Sequence, residues 1–145
     1  MIPETNLQKL LANMMPELHS GEYVFASVKV DDSKIAQDAV VGWFREPEGI
    51  TVILERSAAT EAGIESSFPS RMITLTIHSS LEAVGFMAVI TNRLAAAGIS
   101  VNAISAYHHD HLFVPLQKAD KAMQILLTLM EEAASGIQNQ TSTTP

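Results

Sequence analysis

The side chains best equipped for chemistry fall in two short runs. One is His78-Ser79-Ser80, with Gly85 just beyond it; the other is His108-His109-Asp110-His111. In the first run, imidazole and hydroxyl groups precede a segment with helical periodicity, and Gly85 stands where that helix opens. A helix start offers unpaired N–H groups and the positive end of a dipole, and a glycine lets a ligand approach the backbone. Amides around Val84, Gly85 and Phe86 therefore suit a small carboxylate, with His78, Ser79 and Ser80 as flanking hydrogen-bonding groups. The alternative for Ser79 and Ser80 is turn and capping chemistry, and for Gly85 it is close helix packing. Asn102, on a strand further along, is read as near the helix start, where its amide would meet a ligand's amino group, or else as an exposed strand residue.

The second run invites a metal, since imidazole and carboxylate are common ligands for zinc and its neighbours. Adjacent side chains on a hairpin point to opposite faces, so at most two of these four converge readily. No distant group completes a tetrahedral set with recognisable spacing. No metal is expected. Tyr107, His108 and Asp110 are instead read as a polar turn supporting the adjacent strands or a ligand, with Asp110 shaping the turn.

The elements that must position these groups are written into Arg71 to Pro115 without a break. Ile73, Leu75 and Ile77 alternate with Met72, Thr74 and Thr76, the period of a half-buried strand. From Ala83 to Ala97, Phe86, Ile90 and Leu94 recur at helical spacing, and Gly98 follows as the C-terminal stop. Ile99, Val101 and Ala103 then alternate, and Leu112-Phe113-Val114-Pro115 lies beyond the histidine turn, so two strands form a hairpin. Ala119 to Ala133 carries Ala122, Met123, Leu126, Leu129 and Met130 on one stripe, an amphipathic helix.

The run AVGFMAVITNRLAAAGISVNAIS resembles the heart of ACT domains, in which a glycine (here Gly85) opens the first helix and a Gly-Ile step (here Gly98-Ile99) leads into the second strand. IHSSLEAVGF together with AYHHDHLFVP resembles, more narrowly, bacterial stand-alone tandem ACT proteins related in fold to the regulatory domains of aspartate kinase. The resemblance covers about residues 20 to 133. It implies an α+β fold, a ferredoxin-like βαββαβ sandwich in tandem ACT-like units. It also implies a regulatory role, with an amino acid or similar effector held at an interface between ACT units; a homodimer is expected.

Length and composition agree. A chain of 145 residues, 47% hydrophobic, can form one ordinary domain or two very small ones sharing a sheet. The formal charge of −7 disfavours nucleic acid and anionic membrane surfaces, which call for a Lys/Arg footprint. No apolar run approaches the ~20 residues of a membrane span, and the N-terminus lacks a basic leader, so a cytoplasmic home is expected. With no cysteine there is no thiolate chemistry. No phosphate-binding loop, dinucleotide fingerprint, nucleophile elbow or metalloprotease helix occurs, so neither catalysis nor a cofactor is expected. A partner-binding module without an effector is the remaining alternative.

The first half is written less plainly. Thr5 with Gln8 fits a capping box ahead of an apolar stripe running from Leu7 to Leu18. Strands are expected at Tyr23 to Val30, Val40 to Arg45 and Ile50 to Leu54, with a short helix from Ser57 to Ile64. Trp43 and Phe44 are read as core or interface residues. The layout assigns residues 1–65 to a first unit and 71–134 to a second, with Ser66 to Ser70 as linker and 135–145 as a disordered tail. Two departures from the ACT pattern stand out. Asp31 to Asp38 is too short for a normal first helix, so the N-terminal helix is expected in its place. The second unit lacks a final strand, so a strand borrowed between units or between chains is needed to complete both sheets.

Overall fold

The computed structural model of the protein describes residues 2–30 and 34–141. Helix α1, Leu7–Ala12, is capped by Asn6, whose Oδ1 accepts the Lys9 N–H at 3.0 Å. The expected Thr5–Gln8 capping box does not form. Gln8 instead reaches across the fold, its Nε2 donating to the Ala133 carbonyl at 2.8 Å. The stripe does not continue as helix to Leu18, because Pro16 disfavours right-handed helical backbone at the residue before it; Met15 turns out at φ 44° and a strand begins.

That strand, β1, spans Pro16–Val28 and is followed by a 3₁₀ turn at Gln37–Ala39. Strands β2, Val40–Glu46, and β3, Gly49–Glu55, form a hairpin leading into α2, Arg56–Glu61. Strand β4 covers Ser67–Leu75, so all but Ser66 of the segment read as a linker is strand: Ser70 lies opposite Tyr23 and its Oγ donates to the Tyr23 carbonyl at 3.0 Å. Helix α3, Phe86–Ala96, strands β5, Asn102–Ser105, and β6, Asp110–Pro115, and helix α4, Ala119–Thr141, complete the chain. Residues 135–141, expected as disordered tail, continue α4, which α1 packs against. The rest of that tail, 142–145, lies outside the described residues.

All six strands make one antiparallel sheet in the order β2-β3-β1-β4-β6-β5. Strands β1 to β4 lie as β4-β1-β3-β2, the interleaved order of a ferredoxin-like unit. Strand β4 also begins the second unit, β4-α3-β5-β6-α4, and β1 occupies the place of that unit's missing last strand. The expected borrowed strand is therefore β1, whose 13 residues pair with both β3 and β4.

Register decides the faces. Ile73 and Leu75 on β4, Leu112 and Val114 on β6, Phe86, Ile90 and Leu94 from α3, Leu126 from α4, Leu10 from α1 and Met14 just beyond α1 form the main core. Beside it, α2 covers a smaller cluster of Val24, Val52, Leu54 and Ala59. Helix α1 thus packs with the helices of the second unit; it does not fill the first unit's empty helix position, because Leu10 and Met14 find their apolar partners there. The opposite face carries Tyr23, Ile53, Met72 and Phe113, with rings edge to face: Tyr23 and Phe113 at 6.1 Å, Phe25 and Phe113 at 5.4 Å. Fully burying one such side chain contributes about 1.5–3 kcal/mol.

Candidate functional site

Beyond Leu75 the chain crosses from β4 to α3 through a loop clamped by the N-terminal segment. The Glu4 N–H donates to the His78 carbonyl at 3.0 Å, and the Ser80 N–H donates to the Glu4 carbonyl at 2.9 Å. Within the loop, Ser80 Oγ accepts the Glu82 N–H at 3.1 Å. Gly85 then takes φ 91°, a left-handed backbone, and α3 starts at Phe86 with no side chain capping its first turn. At the other end of α3, Gly98 closes the helix at φ 73°, as its position after the apolar stripe implies.

Across from this helix start, Asp110 opens β6 with its side chain on the helix-bearing face. It is 5% exposed and accepts hydrogen bonds from Ser79 Oγ at 2.8 Å and Ser105 Oγ at 2.5 Å. Between them lies a cavity of about 220 Å³ lined by Ser79, Ser80, Leu81, Gly85, Phe86, Ser105 and Asp110, among others. A buried carboxylate therefore stands at one wall and an uncapped helix N-terminus at the other. A carboxylate accepts from an ammonium and a helix start donates to an anion, so the pair complements a small zwitterion.

Five of the residues singled out in the sequence meet here: Ser79, Ser80, Gly85, Phe86 and Asp110. Asp110 does more than shape a turn, since its two acceptor bonds tie β6 to the β4–α3 loop and to β5. Asn102 does not arrive. It pairs with Phe113 and so shares the opposite face, three residues of alternation away from Ser105, which pairs with Asp110. Val84 is 84% exposed and Tyr107 73% exposed; neither lines the cavity, and His78 and His108 sit outside it, their rings 5.4 Å apart. Ser105 was missed, although strand alternation from Ala103 through Ser105 marks it as inward-facing.

The sheet's other face gathers the remaining imidazoles. His19 Nε2 and His111 Nδ1 both bond Thr74 Oγ1, at 2.7 and 2.9 Å, and the His111 ring lies 6.4 Å from that of His109. Burial first, and then the neighbouring His109 and His19, hold the His111 imidazole below its ordinary pKa, with Asp110 opposing. Among the described residues no three His, Asp or Glu side chains converge to hold a metal. The HHDH run is divided by the pleat, Asp110 pointing to the helices and His111 away from them.

An antiparallel sheet with helices on one face, shared by two interleaved βαββαβ-like units, defines a tandem ferredoxin-like architecture. The family comparison agrees: two models described as ACT domain match residues 3–71 and 67–128, so the chain belongs to the ACT-domain family as a tandem pair. A protein of unknown function from Vibrio cholerae, described as a possible transport protein, is 46% identical over 86% of this chain and 95% of its own, with a TM-score of 0.76. The ligand-free regulatory subunit of aspartate kinase from Thermus thermophilus shares the fold at 12% identity, covering 79% of this chain and 95% of that one, TM-score 0.59. A third similar structure, from Agrobacterium tumefaciens, reaches a TM-score of 0.65 at 16% identity over 79% of this chain and 87% of its own. No curated protein matches. ACT domains are regulatory, non-catalytic units that generally bind small molecules, amino acids above all, and often dimerise. No helix among the described residues is long and apolar enough to cross a membrane.

Proposed function

We propose that this tandem ACT protein is a regulatory sensor whose effector is an amino acid or a closely related metabolite, bound in the cleft between the start of α3 and Asp110. One observation carries the reading: a buried carboxylate, oriented by two serine hydroxyls, faces an uncapped helix start across a cavity of about 220 Å³. That volume is below the ~300–1,000 Å³ of pockets for drug-sized ligands and suits a molecule of few heavy atoms. Backbone N–H groups of the first turn take the effector's carboxylate, and Asp110 takes its ammonium. Occupancy bridges β6 to the β4–α3 loop, and through the strap at Glu4 to the N-terminal segment, so it favours one packing of these elements over another. The assembly in this reading is a homodimer in the cytoplasm; β2 and β5, the edge strands of the sheet among the described residues, are available for pairing between copies.

A thermal-shift screen against the common amino acids tests the reading. Ligand at ~100 times its dissociation constant stabilises by about 2.7 kcal/mol, several degrees for a chain of this size. Asp110→Asn should abolish the shift for zwitterionic ligands, because the ammonium loses its counter-charge. An unchanged shift would place binding elsewhere, and no shift with any amino acid would favour a module that recognises a protein partner alone.

A further inference from the structure

Among the described residues no α-helix covers the first unit's sheet where a βαββαβ unit would carry its first helix, and the groove there is chemically distinctive. Its volume is about 690 Å³, and its floor is three strands wide: Val28 from β1, Ile50 and Val52 from β3, and Val40 and Trp43 from β2. Trp43 is 63% exposed, an unusual position for a large aromatic unless something covers it. Over this apolar floor stand Lys29 and Arg45. Neither has an ion-pair partner among the described residues, and the described lining contains no acidic side chain. Pairing fixes the arrangement: Trp43 lies opposite Val52 and Arg45 opposite Ile50, which places indole and guanidinium side by side on one face of β2.

We propose that this groove is a second ligand site, for a small amphipathic anion: an aliphatic or aromatic body on the valine, isoleucine and indole floor, and a carboxylate head on Arg45 and Lys29. Volume and charge both point there. The cavity lies within the ~300–1,000 Å³ range of small-molecule pockets, and a guanidinium fork recognises a carboxylate bidentately. The site sits at the β2 side of the sheet, away from the Asp110 cleft near β5 and β6, and its occupant shares no residue with the zwitterion proposed there.

Trp43 is the chain's single tryptophan, so its fluorescence reports on this groove alone. The probes are hexanoate, octanoate and decanoate below their micellar concentrations, with octyltrimethylammonium as the charge-reversed control. The expected result is a saturable blue shift with the carboxylates, affinity rising by up to about fourfold per added methylene, and none with the cation. K29Q/R45Q, which alters two surface side chains and should leave the circular dichroism spectrum unchanged, should weaken octanoate about tenfold or more. Equal response to anion and cation, no saturable response, or undiminished binding by K29Q/R45Q would overturn the proposal. So would a shift with anionic phospholipid vesicles but not with free decanoate, which would make the groove a membrane-docking surface.

Discussion

At the scale of single residues, two side chains adjacent in sequence do opposite work. Asp110 is turned to the helices and satisfied by Ser79 and Ser105, while His111 is turned away and shares Thr74 with His19. His111 makes the protein's stability depend on pH with a definite sign. Its folded pKa lies below the ordinary value of about 6.5, so between the two values the unfolded chain binds more protons at this group than the folded one. Its contribution is therefore present above about pH 6.5 and is lost as pH falls through the depressed folded value. Denaturant melts at pH 7.5 and 5.5 should show the wild type losing stability on acidification, and His111→Gln losing less. Equal losses would mean that His111 does not carry the effect.

At the scale of elements, α3 is bounded by two left-handed glycines that do different jobs. A Cβ added at Gly85 would meet only Leu7 Cδ2 at 3.6 Å, and one at Gly98 would meet nothing within 4 Å, so in both places the penalty is backbone strain and not a clash. Gly85→Ala and Gly98→Ala should each lower stability by about 1–2 kcal/mol in chemical denaturation. Only Gly85 lines the candidate cleft, so only Gly85→Ala should also weaken the amino-acid response. Parallel losses of binding in both variants would show the effect to be global. Both glycines were legible in the sequence, because a helix boundary depends on residues a few positions apart. The Asn6 cap and the early end of α1 at Ala12 were not: Gln8, drawn to Ala133 on α4, was unavailable to a capping box.

At the scale of the whole molecule, β1 is the member that makes two units into one. It pairs with β3 in the first unit and β4 in the second, and α1 immediately before it packs on α4. Separate folding of the halves would leave β1 or β4 with an unpaired edge, and would strip α4 and the rest of the second unit's core of Leu10 and Met14. Leu54→Ala in the smaller cluster and Leu126→Ala in the main core, both at positions fully buried in the wild type, should each cost about 2–5 kcal/mol. Both should displace one shared unfolding transition. Two resolved transitions, or a stably folded fragment of residues 67–145, would show the units to be independent.

The sequence alone determined what is local. Strand alternation in β4, the helical period of α3, its glycine boundaries and the histidine turn each follow from side chains within a few residues of one another, and together they disclosed the ACT resemblance and half the cleft. The need for a borrowed strand was also readable, since the second unit's missing last strand can be counted. What only the tertiary structure decided depends on register between distant segments. A shift of one residue in a strand moves every side chain to the other face. The pairing of β5 with β6 therefore brought Ser105 to Asp110 and carried Asn102 away from it. Likewise, apolar partners on α3 and α4 drew α1 to the second unit, and among the described residues no α-helix covers the groove beside Trp43 and Arg45 in the first.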